Sequence, residues 1–195
     1  MKFANEQLKL YAITDRSWLA GETLMEQVEK ALKGGATMIQ LREKHLDEAA
    51  FLQEAEAMLE LCHRYQVPLI INDRVEVAKK VGADGVHVGQ SDMQLARARE
   101  ILGEEAIIGV TAKTVAQAKA AEAGGATYLG SGAVFGTSTK TDAKAMTLDL
   151  FQEICESVSI PVVAIGGIQE HNIEELAGRK MTGFAIISGI FASDD

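Results

Sequence analysis

The sequence predicts an α/β fold in which eight strands alternate with helices and close into a small (β/α)8 barrel, one domain over residues 1–195. Three observations predict it. Short, apolar, β-rich runs alternate with amphipathic runs of helical period, as Leu52, Ala55, Leu59 and Cys62 show. The strands are apolar on both faces, as in a sheet covered by helices, so the alternation implies right-handed parallel crossovers. Polar groups follow the end of strand after strand, where a parallel barrel gathers its functional side chains.

The elements justify themselves in order. A strand at 10–14 precedes a helix at 24–33, which Lys33-Gly34-Gly35-Ala36-Thr37 closes before a strand at 38–41. The helix at 47–65 leads to a strand at 69–71. A short helix at 75–81 ends at Val81-Gly82-Ala83-Asp84-Gly85, which opens the strand at 85–88. A helix at 93–102 and a strand at 107–110 follow. The helix at 115–123 stops at Ala123-Gly124-Gly125-Ala126-Thr127, ahead of a strand at 128–130. A helix at 148–157, a strand at 162–165, a helix at 173–177 and a strand at 184–187 complete the series. The three glycine joints resemble one another and form a weak internal repeat. Glycine suits the left-handed residue that ends a helix. Lying opposite the polar clusters, these joints are read as stability features. Eight βα units exceed the usual count of an open doubly wound sheet, the alternative fold. After Ser188 only Gly189 to Asp195 remain, so the final helix is expected to be truncated or missing. Either a partner, such as a second copy, covers that flank, or the barrel tolerates an open seam.

Composition bounds the function. Hydrophobic residues make up 47% and charged residues 24%, which suits a soluble globular chain. A net charge of −9 disfavours nucleic acid and anionic membrane surfaces. The start, MKFANEQLKL, has no apolar core of signal-peptide length, and no run approaches a membrane span, so a cytoplasmic location is expected. Cys62 and Cys155 lie far apart in helical patterns and read as two buried thiols.

The strand exits carry the chemistry. Asp73 follows the third strand and Asp92 the fourth, which brings two carboxylates together at the rim, a set suited to Mg2+. The plainer reading makes Asp73 a turn residue and Asp92 the cap of the helix at 93–102. Gln40, Arg42 and Lys44 share one parity at the second exit and would face one side if the strand continued. Glu43, of opposite parity, faces a helix or pairs with a cation. With Lys140 in a long loop, these cations can bind a polyanion. Gly166-Gly167 and Ser188-Gly189 follow strands seven and eight, where backbone N–H groups and a short extra helix form a recurrent phosphate cradle. The stretch GTSTKTD at 136–142 offers hydroxyls and a lysine on a loop long enough to fold over a ligand. His63, His45 and His171 read as surface, packing or loop residues. His87 is central in strand four and reads as a satisfied core histidine, although alternation leaves open whether it faces the barrel interior. Neither a Ser/His/Asp set, a zinc spacing nor a Walker loop occurs.

Taken together, YAITD, QLREK, IINDR, ADGVHVGQSD, IIGVT, GAVFGTSTKTD, PVVAIGGI and AIISGI resemble the thiamine-phosphate synthase family, from about Leu10 to Phe191. The resemblance implies a TIM barrel that joins hydroxymethylpyrimidine pyrophosphate to thiazole phosphate and releases pyrophosphate. It implies that Gln40, Arg42, Lys44 and Asn72 hold the pyrimidine pyrophosphate, and that Asp73 and Asp92 bind Mg2+. Thr111 would meet the pyrimidine and Lys140 the pyrophosphate. Thr137, Thr139, Gly167, Ile187 and Ser188 would hold the thiazole phosphate. Arg42, Lys44 and Lys140 become the catalytic cations. Three positions depart from the family pattern: Thr111 stands for serine, Gly136 for a common proline and Ser131 for an aliphatic residue. The rival functions are thiazole tautomerase on the same barrel and a non-catalytic sensor of thiamine phosphates. Lys113 occupies the position where the tautomerase has histidine.

Overall fold

The computed structural model describes residues 2–89, 94–136 and 145–193. Eight parallel strands form a closed barrel in sequence order, and the eighth returns to pair with the first. They are β1 Leu10–Ile13, β2 Met38–Leu41, β3 Leu69–Asn72, β4 Gly85–Val88, β5 Ile107–Thr111, β6 Tyr128–Gly132, β7 Val162–Ile165 and β8 Gly183–Ile186. The helices are α1 Leu24–Lys33, α2 Glu48–Arg64, α3 Val75–Val81, α4 Leu95–Leu102, α5 Val115–Ala123, α6 Leu148–Ser157 and α7 Ser188–Phe191.

Strand alternation sorts the core into two layers. Ala12, Ile39, Leu41, Leu69, Ile71, Val86, Ile108 and Ala164 face outward and pack with Val28, Phe51, Met58, Ala78 and Phe151 of the helices. Tyr11, Ile13, Met38, Ile70, Ile107, Tyr128, Val163 and Ala185 fill the lumen. Side chains thus occupy the barrel interior, as a barrel of this strand number requires. A 3-10 turn, Asn5–Leu8, seals the end at which the strands begin: Leu8 is fully buried in the lumen cluster.

Side-chain caps start α1, α2, α5 and α6. Thr23 and Glu26 form a reciprocal capping box on α1. Asp47 accepts from Ala50 N at 2.8 Å, so the residue expected to open the helix at 47 is its cap. Thr114 and Thr147 cap α5 and α6 in the same way. In the glycine joints, Gly35, Gly82 and Gly125 take positive φ. Gln94 occupies the N-cap of α4, so the capping position falls two residues after Asp92, which lies outside the described residues. The expected helix at 173–177 is instead a single 3-10 turn, Ile173–Leu176, because only Leu176 of it is buried and Gly178 turns the chain at φ 78°. The last strand leads into a helix of four residues, α7. Cys62 and Cys155 are free and buried.

Candidate active site

All the strand exits open on one end of the barrel, so the polar residues that follow each strand share a rim. At the exit of β2 the strand stops at Leu41, and Gln40, Arg42 and Lys44 do not form a row. Gln40 is only 2% exposed and points into the lumen. Arg42 reaches sideways to the end of β1: its Nη1 donates to Asp15 Oδ2 at 3.1 Å, and its backbone N donates to Thr14 Oγ1 at 3.0 Å. Both members of the pair are nearly buried. Lys44 is exposed. Glu43 turns the other way, as its parity predicts, and takes Arg16 Nε at 2.6 Å; Arg16 also binds Glu54 of α2. Burial pushes the Glu43 carboxyl up, the Arg16 bond opposes this, and the nearby Glu54 charge adds to it.

At the exit of β3, Asp73 has φ 61°, a conformation that costs a non-glycine residue energy and recurs at functional sites. Its backbone N donates to the His87 carbonyl at 2.9 Å, locking β3 to β4. Asn72 Nδ2 donates to Asp73 Oδ2 at 2.5 Å. Asp73 is therefore both the turn residue of the plainer reading and an exposed oxygen donor at the rim. Asp92, Thr137, Thr139 and Lys140 lie outside the described residues.

A chain of hydrogen bonds crosses the lumen below the rim. Gln40 Nε2 donates to Tyr11 Oη at 2.6 Å, and Tyr11 Oη meets Tyr128 Oη at 2.8 Å. Tyr128 Oη meets His87 Nδ1 at 3.0 Å, and His87 Nε2 meets Thr111 Oγ1 at 3.0 Å. Burial pushes both phenol pKa values upward, so both tyrosines are neutral; for Tyr11 the bonds to Tyr128 and Gln40 offset part of the rise. His87 thus faces the interior and is a satisfied core histidine.

The third part of the rim lies between β6 and β8. Gly166 and Gly167 have φ 99° and 66°. A Cβ on Gly167 would collide with the Gly136 carbonyl and lie 2.9 Å from the Phe135 carbonyl carbon. Glycine is therefore demanded by the approach of the β6 exit, in addition to any ligand. Asn172 Nδ2 donates to Gly167 O at 2.9 Å, and Gln169 Nε2 donates to Ser188 Oγ at 3.0 Å. Phe135, Gly136, Gly167, Gln169, His171, Asn172 and Ser188 line a cavity of about 300 Å³, at the small end for a ligand site. Ile187 precedes α7 and accepts from Ile190 N and Phe191 N through its carbonyl. Ser131 faces away from this rim, where its hydroxyl donates to Ala112 O at 2.9 Å; this satisfies the polar group in an apolar layer.

With this geometry in view, similarity to known proteins decides the family. A family model described as "Thiamine monophosphate synthase" matches residues 10–190. The chain belongs to the thiamine-phosphate synthase family. It is 47% identical to the thiamine-phosphate synthase of Clostridium acetobutylicum over 97% of this chain and 90% of that one. It is also 47% identical to that of Clostridium novyi, over 96% and 92%. The solved thiamine phosphate pyrophosphorylase of Pyrococcus furiosus superposes with a TM-score of 0.90 at 40% identity, covering 98% of this chain and 91% of that one. A TM-score of 0.70 to an N-acetylmannosamine-6-phosphate 2-epimerase of Clostridium perfringens, at 12% identity, shows the barrel alone.

The same geometry brings forward candidate residues that motif reading missed. Asp15 holds Arg42, Tyr11 and Tyr128 bridge Gln40 to His87, and Gln169 and Asn172 brace the glycine cradle. The YAITD block contained two of them, but a tyrosine in an apolar strand reads as core and a lone aspartate after a strand reads as a turn. Among the described residues no helix is long and apolar enough to cross a membrane.

Proposed function

We propose that this chain condenses hydroxymethylpyrimidine pyrophosphate with thiazole phosphate, releasing pyrophosphate and forming thiamine phosphate, through a dissociative pyrimidine cation. The observation that carries this reading is family membership over nearly the whole chain, supported by a rim with Arg42 and Asp73 on one side and the glycine pair Gly166-Gly167 on the other. Gln40 and Thr111 lie at the two ends of the lumen chain of hydrogen bonds and would meet the pyrimidine ring. Arg42 lies at the rim, aimed by Asp15, and offers its guanidinium to a departing pyrophosphate together with Lys44 and Lys140. Asn72 orients Asp73 and completes this half. Gly167, Ile187 and Ser188, with Thr137 and Thr139, would hold the thiazole phosphate against the far side of the mouth.

Asp73 is an exposed hard oxygen donor at the rim, the donor type Mg2+ takes with few protein ligands, so the residues fit that ion. Asp73 and Asp92 would hold it, and when bound it neutralises charge on the pyrophosphate. No general base is required, because the thiazole nitrogen attacks unprotonated. The protein's work is to orient the two rings and keep water off the cation. Losing one charged contact to the leaving group should cost about 3 kcal/mol in the transition state.

The test is incubation with both substrates and Mg2+, measuring pyrophosphate release. Release that requires both substrates supports the synthase. Isomerised thiazole without release would indicate the tautomerase, and tight binding without turnover a sensor. Lys113, exposed at the exit of β5, stands where the tautomerase carries histidine and disfavours that rival. Asp92→Ala and Lys140→Ala should each lose most turnover while staying folded.

A further inference from the structure

The pairing of β1 with β2 does not end with the strands. Its last backbone bond runs from Thr14 N to Gln40 O at 3.0 Å. Side chains then carry the pairing further. Arg42 N donates to Thr14 Oγ1 at 3.0 Å, Arg42 Nη1 to Asp15 Oδ2 at 3.1 Å, and Arg16 Nε to Glu43 Oε1 at 2.6 Å. The charges are crossed: each segment gives a cation to the other and takes one from it. Asp15 joins the two ion pairs, because its Oδ1 accepts from Ser17 N at 2.9 Å and caps the 3-10 turn Arg16–Trp18 that presents Arg16.

Two carboxylates depend on Arg16. The side chains of Glu43 and Glu54 are 4% and 17% exposed, against 40% for Arg16. Arg16 Nη2 holds Glu54 Oε1, and Glu54 Oε2 is buried without a hydrogen-bond partner among the described residues. The cation between them offsets their repulsion. Without it, two desolvated carboxylates face one another, and one of them must swing out to water. Glu54 sits on α2, which Phe51, Ala55 and Met58 anchor as fully buried residues. Glu43 lies past the end of β2, between Arg42 and Lys44 in the chain. The segment free to move is therefore the one that carries both rim cations.

We infer that Arg16 is a positioning residue which, acting through Glu43, sets Arg42 and Lys44 where they meet an anionic group of the substrate at the rim. The inference rests on the synthase reading for the identity of that group, the pyrophosphate. The crossed ion pairs themselves do not depend on it.

The experiment measures KM for each substrate with the full chain. Arg16→Gln removes the cation and keeps a polar side chain. It should raise KM for the pyrimidine pyrophosphate about tenfold, with KM for the thiazole phosphate within about twofold. Adding Glu43→Gln removes the stranded charge and should bring the raised KM back to within about threefold of the wild type. In an Arg42→Gln background, Arg16→Gln should change KM by less than about threefold, because the main group it positions is gone. Arg16→Lys keeps the charge without the fork and should raise the same KM about threefold. It carries the same readouts if Arg16→Gln does not fold. An unchanged KM would overturn the inference, as would an equal rise in both KM values, a defect that Glu43→Gln does not relieve, or an undiminished rise in the Arg42→Gln background. If the wild type releases no pyrophosphate from the two substrates, the synthase reading fails, and calorimetry with inorganic pyrophosphate and Mg2+ decides the positioning role instead. Binding weaker by about tenfold in Arg16→Gln supports it. Equal binding by that variant, or none by the wild type, overturns it.

Discussion

Asp15→Asn isolates the charge that holds Arg42. Asparagine can keep the bond that Asp15 Oδ1 accepts from Ser17 N at 2.9 Å, so the local turn should survive. What is lost is the carboxylate 3.1 Å from the guanidinium. At an effective dielectric of about 20, unit charges at that separation attract by about 5 kcal/mol, most of which desolvation of the two ions cancels. Removing one partner of a fully buried pair costs about 3–5 kcal/mol, because the other charge is stranded. Here the side chains keep 10% and 11% of their exposure, so a loss of about 2 kcal/mol is expected. Urea denaturation reads this as a midpoint lower by about 1 M, given a slope of about 2 kcal/mol per molar. A double-mutant cycle with Arg42→Gln should return a coupling of about 2 kcal/mol. Coupling under about 0.5 kcal/mol would refute the argument, since the pair would then be an ordinary surface contact.

Gly167→Ala combines left-handed backbone strain with overlap at the β6 exit, so a loss of about 2–3 kcal/mol and a Tm lower by about 4–12 °C are expected by calorimetry. Gly136→Ala should do the reverse: its Cβ would meet nothing within 4 Å, and a gain of about 0.5 kcal/mol is expected in the same assay. Burial pushes the Cys62 thiol up to about 12 and the Cys155 thiol up to about 11, so at pH 8 both should resist a thiol reagent in the folded protein and react at once in urea. Burial alone would raise the Asp84 pKa, but the Leu69 N–H bond at 2.9 Å and the His63 contact at 2.8 Å win and hold it below the ordinary carboxylate range. Its stabilisation is therefore present above that range and is lost as pH falls through and below it; Asp84→Asn should show a shallower loss of stability on acidification.

Period and punctuation made most of the barrel legible. The bounds of β2, β4 and β7, and of α1, α3, α5 and α6, coincide with the apolar runs and their glycine or threonine ends. β6 runs on to Gly132, beyond the strand expected at 128–130, because Ser131 is buried in its outer layer with a bonded hydroxyl. The segment 173–177 looked helical by composition, yet with one buried apolar residue it lacks the face that would hold a longer helix in place. At the rim, backbone position was readable and side-chain direction was not. Parity aligned Gln40, Arg42 and Lys44, but parity ends where the strand does, and beyond Leu41 Arg42 follows the charge on Asp15. Likewise period two could not say which face of β4 is the lumen. The glycines at 109 and 130 carried that information, since the space they leave on adjacent strands is filled by His87 and Tyr128.

The closure formed by Asn5–Leu8 separates the beginning of the chain from the catalytic opening by the full height of the cylinder. A bead or sensor chip linked ahead of Phe3 would hold the molecule with its opening toward the flowing solution. Attachment next to Ala192 would instead set the support beside the glycine cradle, where it would crowd whatever enters.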